Sequence, residues 1–318
     1  MPELPEVETV ARTLRPHVQG SIIADAHVLR ATSLHPLSLP LQRLRGCRIA
    51  DVARRGKLLL LLLDPEKAED AEVRGMKDLR LAVHLRMTGR LMTYAAKTAP
   101  GTHTRCIFDL TALPVGALAA AQGQAAEEHG PVAAAAGMPA SHPCSPTDGR
   151  RLFFDDVRAF GTLLAGTPEV FARWPFWRDL GPEPLEITEA AFAERIAQKR
   201  SAIKAVLLDQ KVLAGVGNIY ADESLFAAGI DPRRKASELT RAEALRLLHC
   251  LRDVLLLSIS QCGSSIRDYR DADGNVGAFQ NSFAVYGRGG QKCKSCAGFL
   301  EKARVAGRGT VFCPRCQR

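Results

Sequence analysis

The first eight residues, MPELPEVE, contain no lysine or arginine, and no apolar run follows them. A secretory signal needs both, so this start is not read as one. Long hydrophobic stretches are missing as well. The longest purely aliphatic run, Leu58–Leu63, has six residues, against ~20 for a membrane span. It reads as a buried strand, and no membrane partner is expected. No internal repeat is present, and neither is a disulfide framework. The nine cysteines are an odd number, and five of them (Cys47, Cys106, Cys144, Cys250 and Cys262) follow no framework spacing. Reduced thiols in the cytoplasm and one metal site are the simplest reading.

With 318 residues, 46% of them apolar, the chain is long enough for two or three globular domains. A formal charge of +9 suits a polyanionic partner such as nucleic acid. The charge is unevenly placed. The first eight positions are acidic only, whereas the final thirty carry seven Lys or Arg against the single Glu301.

The apolar residues Val7, Val10, Ala11 and Leu14 form a helical stripe that ends near Pro16 and Gly20. Pro5 fits the first turn, where its missing N–H costs nothing, and Glu6 and Glu8 face the positive end of the helix dipole. From about 21 to 165 the pattern turns to short β-like runs: Ile22–Val28, Lys57–Leu63, Leu79–His84, Cys106–Leu110 and Leu152–Phe154. Such runs separated by turns imply a sandwich or barrel. The stretch 111–150, rich in Ala, Gly and Pro, reads as a flexible insertion. Residues 166–184, with WPFW and GPEP, read as the passage between domains, and the linker proper is expected at 171–184. Beyond it the pattern is helical. Ser201 is expected to cap a helix through Asp209, and Asn218 to open one running to Gly229. Thr240 and Glu243 form a capping box before Leu245–Ile259.

The strongest local motif is CKSC…CPRC. Cys293 and Cys296 are separated from Cys313 and Cys316 by sixteen residues, the spacing of a tetrahedral four-cysteine zinc ribbon. A redox or iron–sulfur role is the alternative. The intervening VAGRGTVF reads as a hairpin with Arg308 at its tip, where it can meet a phosphate. A second motif places Gly215 and Gly217 between two short helices, with Asn218 at the next N-terminus, a geometry suited to an anion. The third is the terminus itself. Removal of Met1 would leave Pro2 with a free secondary amine, whose neutral form at pH 7 is on the order of a few hundred times more abundant than that of a lysine. A secondary amine attacking an aldehydic carbon gives an iminium directly. Glu3 beside it could act as general acid or base.

Taken together, MPELPEVETV, RRGKLLLL (54–61), HLRMTGRL (84–91), LGPEPL (180–185), GVGNIYADESLFAAGI (215–230), VYGR (285–288) and the cysteine module resemble the bacterial formamidopyrimidine-DNA glycosylase family. The likeness covers almost all of the chain except about 111–150. It is closer to this family than to endonuclease VIII, whose N-terminal block differs after the shared Pro-Glu. The resemblance implies an α+β multidomain fold. Its parts are an N-terminal helix and β-sandwich over 1–170, a helix-two-turns-helix domain over 185–290, and a zinc ribbon over 291–318 holding one structural Zn2+. It also implies a base-excision repair enzyme, a monomer acting on double-stranded DNA with oxidised bases or abasic sites. Such an enzyme releases oxidised purines and cuts the strand by β,δ-elimination.

By the same resemblance Pro2 is the nucleophile, Glu3 the acid for ring opening, Glu6 a supporting carboxylate and Lys57 the aid to β-elimination. Arg308 is credited with δ-elimination. Met87 is the wedge that fills the vacated stack, with Arg158 and Phe160 facing the orphaned cytosine. His84, His103, Arg200, Lys204, Asn218 and Tyr286 match DNA-contacting positions, and Ser264–Phe279 matches the flap over the damaged base. Three departures stand out. Asp156–Gly161 reads DVRAFG where the family has Asp-Pro-Arg-Arg-Phe-Gly, Arg86 stands at a usual Gly, and Ala278 stands at a common aromatic position. The rival readings are an endonuclease VIII-like specificity for oxidised pyrimidines and a non-catalytic DNA-binding protein. The retained set Pro2, Glu3 and Lys57 favours the catalyst.

Overall fold

The computed structural model describes residues 1–111, 149–265 and 269–318. The expected insertion therefore lies outside the described residues apart from its edges, as do three positions of the flap.

Helix α1 (Leu4–Val18) begins as its sequence predicts, with Pro5 in the first turn. The Glu3 amide donates to Glu6 Oε2 at 2.8 Å, which satisfies one of the donors a helix start leaves open. The stripe Val7, Val10, Ala11, Leu14 and Val18 is buried in a core it shares with two four-stranded antiparallel sheets. One sheet has the order β2 (Arg48–Arg55), β3 (Leu58–Asp64), β4 (Arg80–His84), β8 (Thr162–Gly166). The other has the order β1 (Ile23–Val28), β6 (Thr104–Leu110), β7 (Arg150–Asp156), β5 (Gly89–Ala95). Strands β2, β5 and β8 were not among the predicted runs. Strand β2 is hidden by a register shift between Ile49 and Asp51, which breaks its apolar alternation.

The six-leucine run owes its lack of alternation to burial on both faces. Leu59, Leu61 and Leu63 point into the sandwich core. Leu58 and Leu60 point the other way, where Leu164, Phe171 and Trp174 cover them. That cover corrects the linker reading of WPFW. Beyond the one-turn helix α2 (Ala71–Arg74) between β3 and β4, two short helices, α3 (Pro168–Ala172) and α4 (Pro175–Arg178), press Phe171 and Trp174 onto the outer face of the sheet. Aromatic side chains of this size bury more apolar area than a free linker could leave in water.

Helices α5 (Glu189–Ala197), α6 (Ile203–Leu208), α7 (Asn218–Ala227) and α8 (Arg241–Ser260) build a second core. The capping box of α8 is present: the Thr240 amide donates to Glu243 Oε2 at 2.8 Å and the Glu243 amide to Thr240 Oγ1 at 3.2 Å. Ser201, by contrast, is not a cap. Ala202 takes that position in α6 and bridges to Lys235, with no side-chain cap bond at that end. Leu4 of α1 belongs to this helical core rather than to the sandwich, and its amide donates to the Gly215 carbonyl at 3.0 Å. One helix thus reaches both cores. The chain ends in the hairpin β9 (Glu301–Val305) and β10 (Arg308–Phe312), turned by Ala306 and Gly307, both with positive φ. Two such residues in a tight hairpin match the strand twist.

Candidate active site and nucleic-acid interface

Where α1 meets α7 the protein encloses four polar groups. Pro2, Glu3, Glu6 and Lys57 are all buried. The glycine loop is expected to hold an anion at the start of α7, and the group it receives there is the protein's own Glu3 carboxyl. Glu3 Oε1 accepts the Ile219 amide at 3.0 Å, while Glu3 Oε2 is buried without a partner. Gly217 is what allows this approach: a Cβ there would lie 2.3 Å from the Glu3 carboxyl carbon.

Burial raises the Glu3 pKa to about 7, helped by the charge of Glu6 and opposed by Lys57, the Ile219 amide and the terminal amine. Desolvation likewise lowers the Lys57 pKa, with Arg308 adding to the effect and the two glutamates opposing it. Glu6 is arranged differently. It accepts from the Glu3 amide, the Tyr220 hydroxyl, the Ser264 amide at 2.8 Å and the Ser264 hydroxyl at 2.9 Å. One carboxylate therefore ties the N-terminus, α7 and the first residues of the flap. The arrangement provides a carboxyl that can hold a proton at neutral pH, beside an amine kept in low dielectric.

Lys57 follows a turn clamped from the other half of the chain. Glu183 of LGPEPL accepts Arg54 Nη1 at 2.7 Å, Arg55 Nη1 at 2.9 Å and the Gly56 amide at 2.7 Å. Glu223 plays a similar part for the VYGR block, accepting the amides of Ala284, Val285 and Tyr286 at 2.7–3.0 Å. Sequence reading missed both residues. Their one signal was a carboxylate inside an otherwise apolar or Gly/Pro-rich block.

The β4–β5 turn and the loop after β7 bring Met87, Arg158 and Phe160 together. Met87 and Phe160 are 40% and 54% exposed, although large apolar side chains usually withdraw from water. The Arg158 guanidinium lies 4.8 Å from the Phe160 ring centroid and donates to Met87 Sδ at 3.1 Å. His84 departs from expectation. Its ring is buried, packs 5.4 Å from Phe176, and accepts the Arg86 amide at 3.1 Å through Nδ1. Burial and the cations Arg86 and Lys57 push its pKa down to about 3, so it braces the Met87 turn as a neutral acceptor. His103 is exposed on the rim of a 380 Å³ cavity lined in part by Thr88, Asp155 and Val157.

Arg200 and Arg308 are exposed, and Tyr286 is half-buried with its ring 5.4 Å from Phe283. Lys204 is set differently from these arginines, for its ammonium is fully enclosed. It forms an ion pair with Asp222 Oδ1 at 2.7 Å and donates to the Gly309 carbonyl at 3.0 Å and to Thr310 Oγ1 at 2.8 Å. Asn218 Nδ2 donates to the same Gly309 carbonyl at 3.0 Å. Both side chains hold the hairpin residues just after Arg308, Lys204 from a buried position and Asn218 from a half-buried one.

Cys293, Cys296, Cys313 and Cys316 converge, with all four sulfurs within 4.8 Å of one another. The pairs Cys293–Cys316 and Cys296–Cys313 are 3.9 and 3.5 Å apart. Tetrahedral Zn–S bonds of about 2.3 Å put sulfurs roughly 3.8 Å apart, so the set fits one structural zinc ion.

The comparisons with known proteins agree with this geometry. A family model described as the formamidopyrimidine-DNA glycosylase N-terminal domain matches residues 1–163, and the H2TH domain of the same glycosylase matches 180–270. The zinc finger found in FPG and IleRS matches 290–318. A sandwich, a helix-two-turns-helix unit and a zinc ribbon in this order define a DNA glycosylase of the H2TH class. The chain belongs to the formamidopyrimidine-DNA glycosylase family. It is 41% identical to the enzyme of that name from Nitratidesulfovibrio vulgaris and 38% identical to that from Geobacillus kaustophilus, covering 100% of both chains in each case. Among solved structures, the MutM (Fpg) protein of Thermus thermophilus matches with a TM-score of 0.76 and 36% identity, over 99% of this chain and 98% of that one. A Lactococcus lactis Fpg in complex with an abasic-site DNA matches with a TM-score of 0.76 and 30% identity, over 99% of each chain.

Proposed function

We propose that this chain excises oxidised purines, 8-oxoguanine and formamidopyrimidines, from double-stranded DNA and cuts the abasic site through a Schiff base on Pro2. The observation that carries the reading is the joint burial of Pro2, Glu3 and Lys57, with the Glu3 carboxyl raised to about 7. Once Met1 is removed, the Pro2 amine attacks C1′ of the everted nucleotide. The glycosidic bond breaks and its electron pair leaves with the base, which takes a proton. Glu3 delivers its proton to the ring oxygen, so the C1′–O bond opens and Pro2 nitrogen becomes an iminium with C1′. Loss of a C2′ proton then expels the 3′ phosphate, and a further proton loss expels the 5′ phosphate. Lys57 serves the first elimination and Arg308 the second. Water hydrolyses the iminium and restores the amine.

Residues 1–170 carry the chemistry in this reading, while 185–290 and the ribbon grip DNA. The chain works as a monomer, in the cytoplasm where the chromosome lies. Among the described residues no helix is long and apolar enough to cross a membrane. The test is borohydride trapping on a duplex with 8-oxoguanine opposite cytosine. A covalent adduct is expected, lost in Pro2→Gly and when Met1 is retained. A duplex carrying thymine glycol serves as the second arm. No adduct with either duplex overturns the enzyme reading, and trapping on thymine glycol alone moves the specificity to oxidised pyrimidines.

A further inference from the structure

The loops that carry Met87, Arg158 and Phe160 share one fastening. Asp156 ends β7 and is fully buried. Its Oδ1 accepts the Thr88 hydroxyl and the Arg158 amide, the latter at 3.2 Å, and its Oδ2 accepts the Gly161 amide at 2.6 Å. Thr88 follows Met87 and Gly161 follows Phe160, so each exposed side chain lies within one residue of a bond to this carboxylate. The residue is itself held. Its amide donates to the His103 carbonyl at 2.9 Å, and its carbonyl accepts Arg105 Nε at 2.8 Å and Nη2 at 2.6 Å. Gly161 has to be glycine for this closure, since a Cβ would lie 2.4 Å from the Phe154 ring and 3.1 Å from Asp156 Oδ2.

The departure DVRAFG gives the arrangement its weight. Val157 lacks the fixed φ that a proline would supply, and Ala159 sits at φ 55, a conformation that L residues rarely adopt. Nothing in the loop's own sequence stiffens it, and Phe160 cannot anchor it by burial. The order must come from below. We infer that Asp156 is the positioning residue that holds Met87, Arg158 and Phe160 as one rigid unit, and that duplex dependence and opposite-base selectivity run through it. The inference rests on the functional reading above and on the expectation, drawn from the family resemblance, that these three side chains fill the space beside an everted nucleotide.

The experiment compares single-turnover cleavage of abasic DNA in three forms: single-stranded, duplex with cytosine opposite, and duplex with adenine opposite. The variants are Asp156→Asn and Thr88→Val. Thr88→Val removes the hydroxyl's bond to Asp156 and the acceptor for the Arg158 amide at 3.1 Å, and it serves if Asp156→Asn fails to fold. The ratio of duplex to single-strand kcat/KM is expected to fall about tenfold or more, through KM, as misplaced contact groups require. The cytosine-over-adenine preference is expected to collapse in Asp156→Asn. Equal losses on all three substrates, or an unchanged preference in folded Asp156→Asn, overturn the inference. A wild-type protein that cleaves none of them overturns the functional reading, and this inference with it.

Discussion

The Ile219 amide donates to Glu3 Oε1 at 3.0 Å across 216 positions of sequence, while the other oxygen of the same carboxyl has no partner. A carboxyl held at one oxygen and open at the other can carry a proton to a fixed place. Because burial raises its pKa from 4.5 to about 7, the folded protein binds a proton here that the unfolded chain has released. Stability from this group is full below 4.5 and is lost as pH rises through about 7, on the order of 3 kcal/mol in all. Wild type is therefore expected to lose stability in urea between pH 5 and 8. Glu3→Gln, which can still accept the Ile219 amide, should flatten that decline. Identical pH profiles would remove the proton from Glu3.

Lys204 and Asp222 form a fully enclosed pair, with side chains 0% and 1% exposed. Desolvation lowers the lysine pKa and raises that of the aspartate to about 6, while the attraction between the two charges opposes both shifts. Lys204→Met leaves a buried carboxylate alone and is expected to cost about 3–5 kcal/mol. The double variant Lys204→Met/Asp222→Leu should recover much of that. Urea midpoints for the three proteins decide it. Equal loss in single and double variants would show that the lysine matters for something other than this pair.

How far the sequence could be read follows from range. Local signals held: the α8 capping box, the hairpin turn and the four cysteines are each set within a few residues. The leucine run showed a buried strand, but not that WPFW would supply its second cover, because aromatic residues beside prolines read as turns. Pro2, Glu3 and Lys57 could be named from motifs. Their supports could not, since Glu183 and Gly217 act on residues more than a hundred positions away. Lys204 and His84 look like surface cations in one dimension. Only packing shows that one is walled in by acceptors and the other is kept neutral.

Gly217→Ala offers the sharpest steric test. The added methyl would lie within 2.3–2.6 Å of the Glu3 carboxyl atoms, so the carboxyl or the start of α7 has to move. Displacing the proton donor by even an ångström is expected to cost about 100-fold in cleavage. Thermal unfolding should shift only modestly, by an amount equivalent to about 1–3 kcal/mol. Retention of near-normal turnover would mean that the Glu3 position does not limit the reaction.

Zinc removal separates the ribbon from the rest. The ribbon's own core is small: Val285, Cys293, Leu300 and Cys313 are its buried apolar members, and two of the four are expected metal ligands. A module this size cannot fold on apolar burial alone, so metal binding supplies its folding free energy. Its docking then fails as well, because Lys204 and Asn218 bond to the hairpin and Gln317 of the chain end donates to the Ile230 carbonyl, both parts being ordered by the metal. The sandwich shares none of these contacts and has its own core around α1. Stripping the metal with a strong chelator is expected to abolish duplex binding in a titration at fixed salt. Cysteine-directed labelling should meanwhile leave Cys47 and Cys106, both buried in the sandwich, protected. Full binding by the metal-free protein would dismiss the ribbon's part in gripping DNA, and labelling of Cys47 or Cys106 would show that the two halves unfold together.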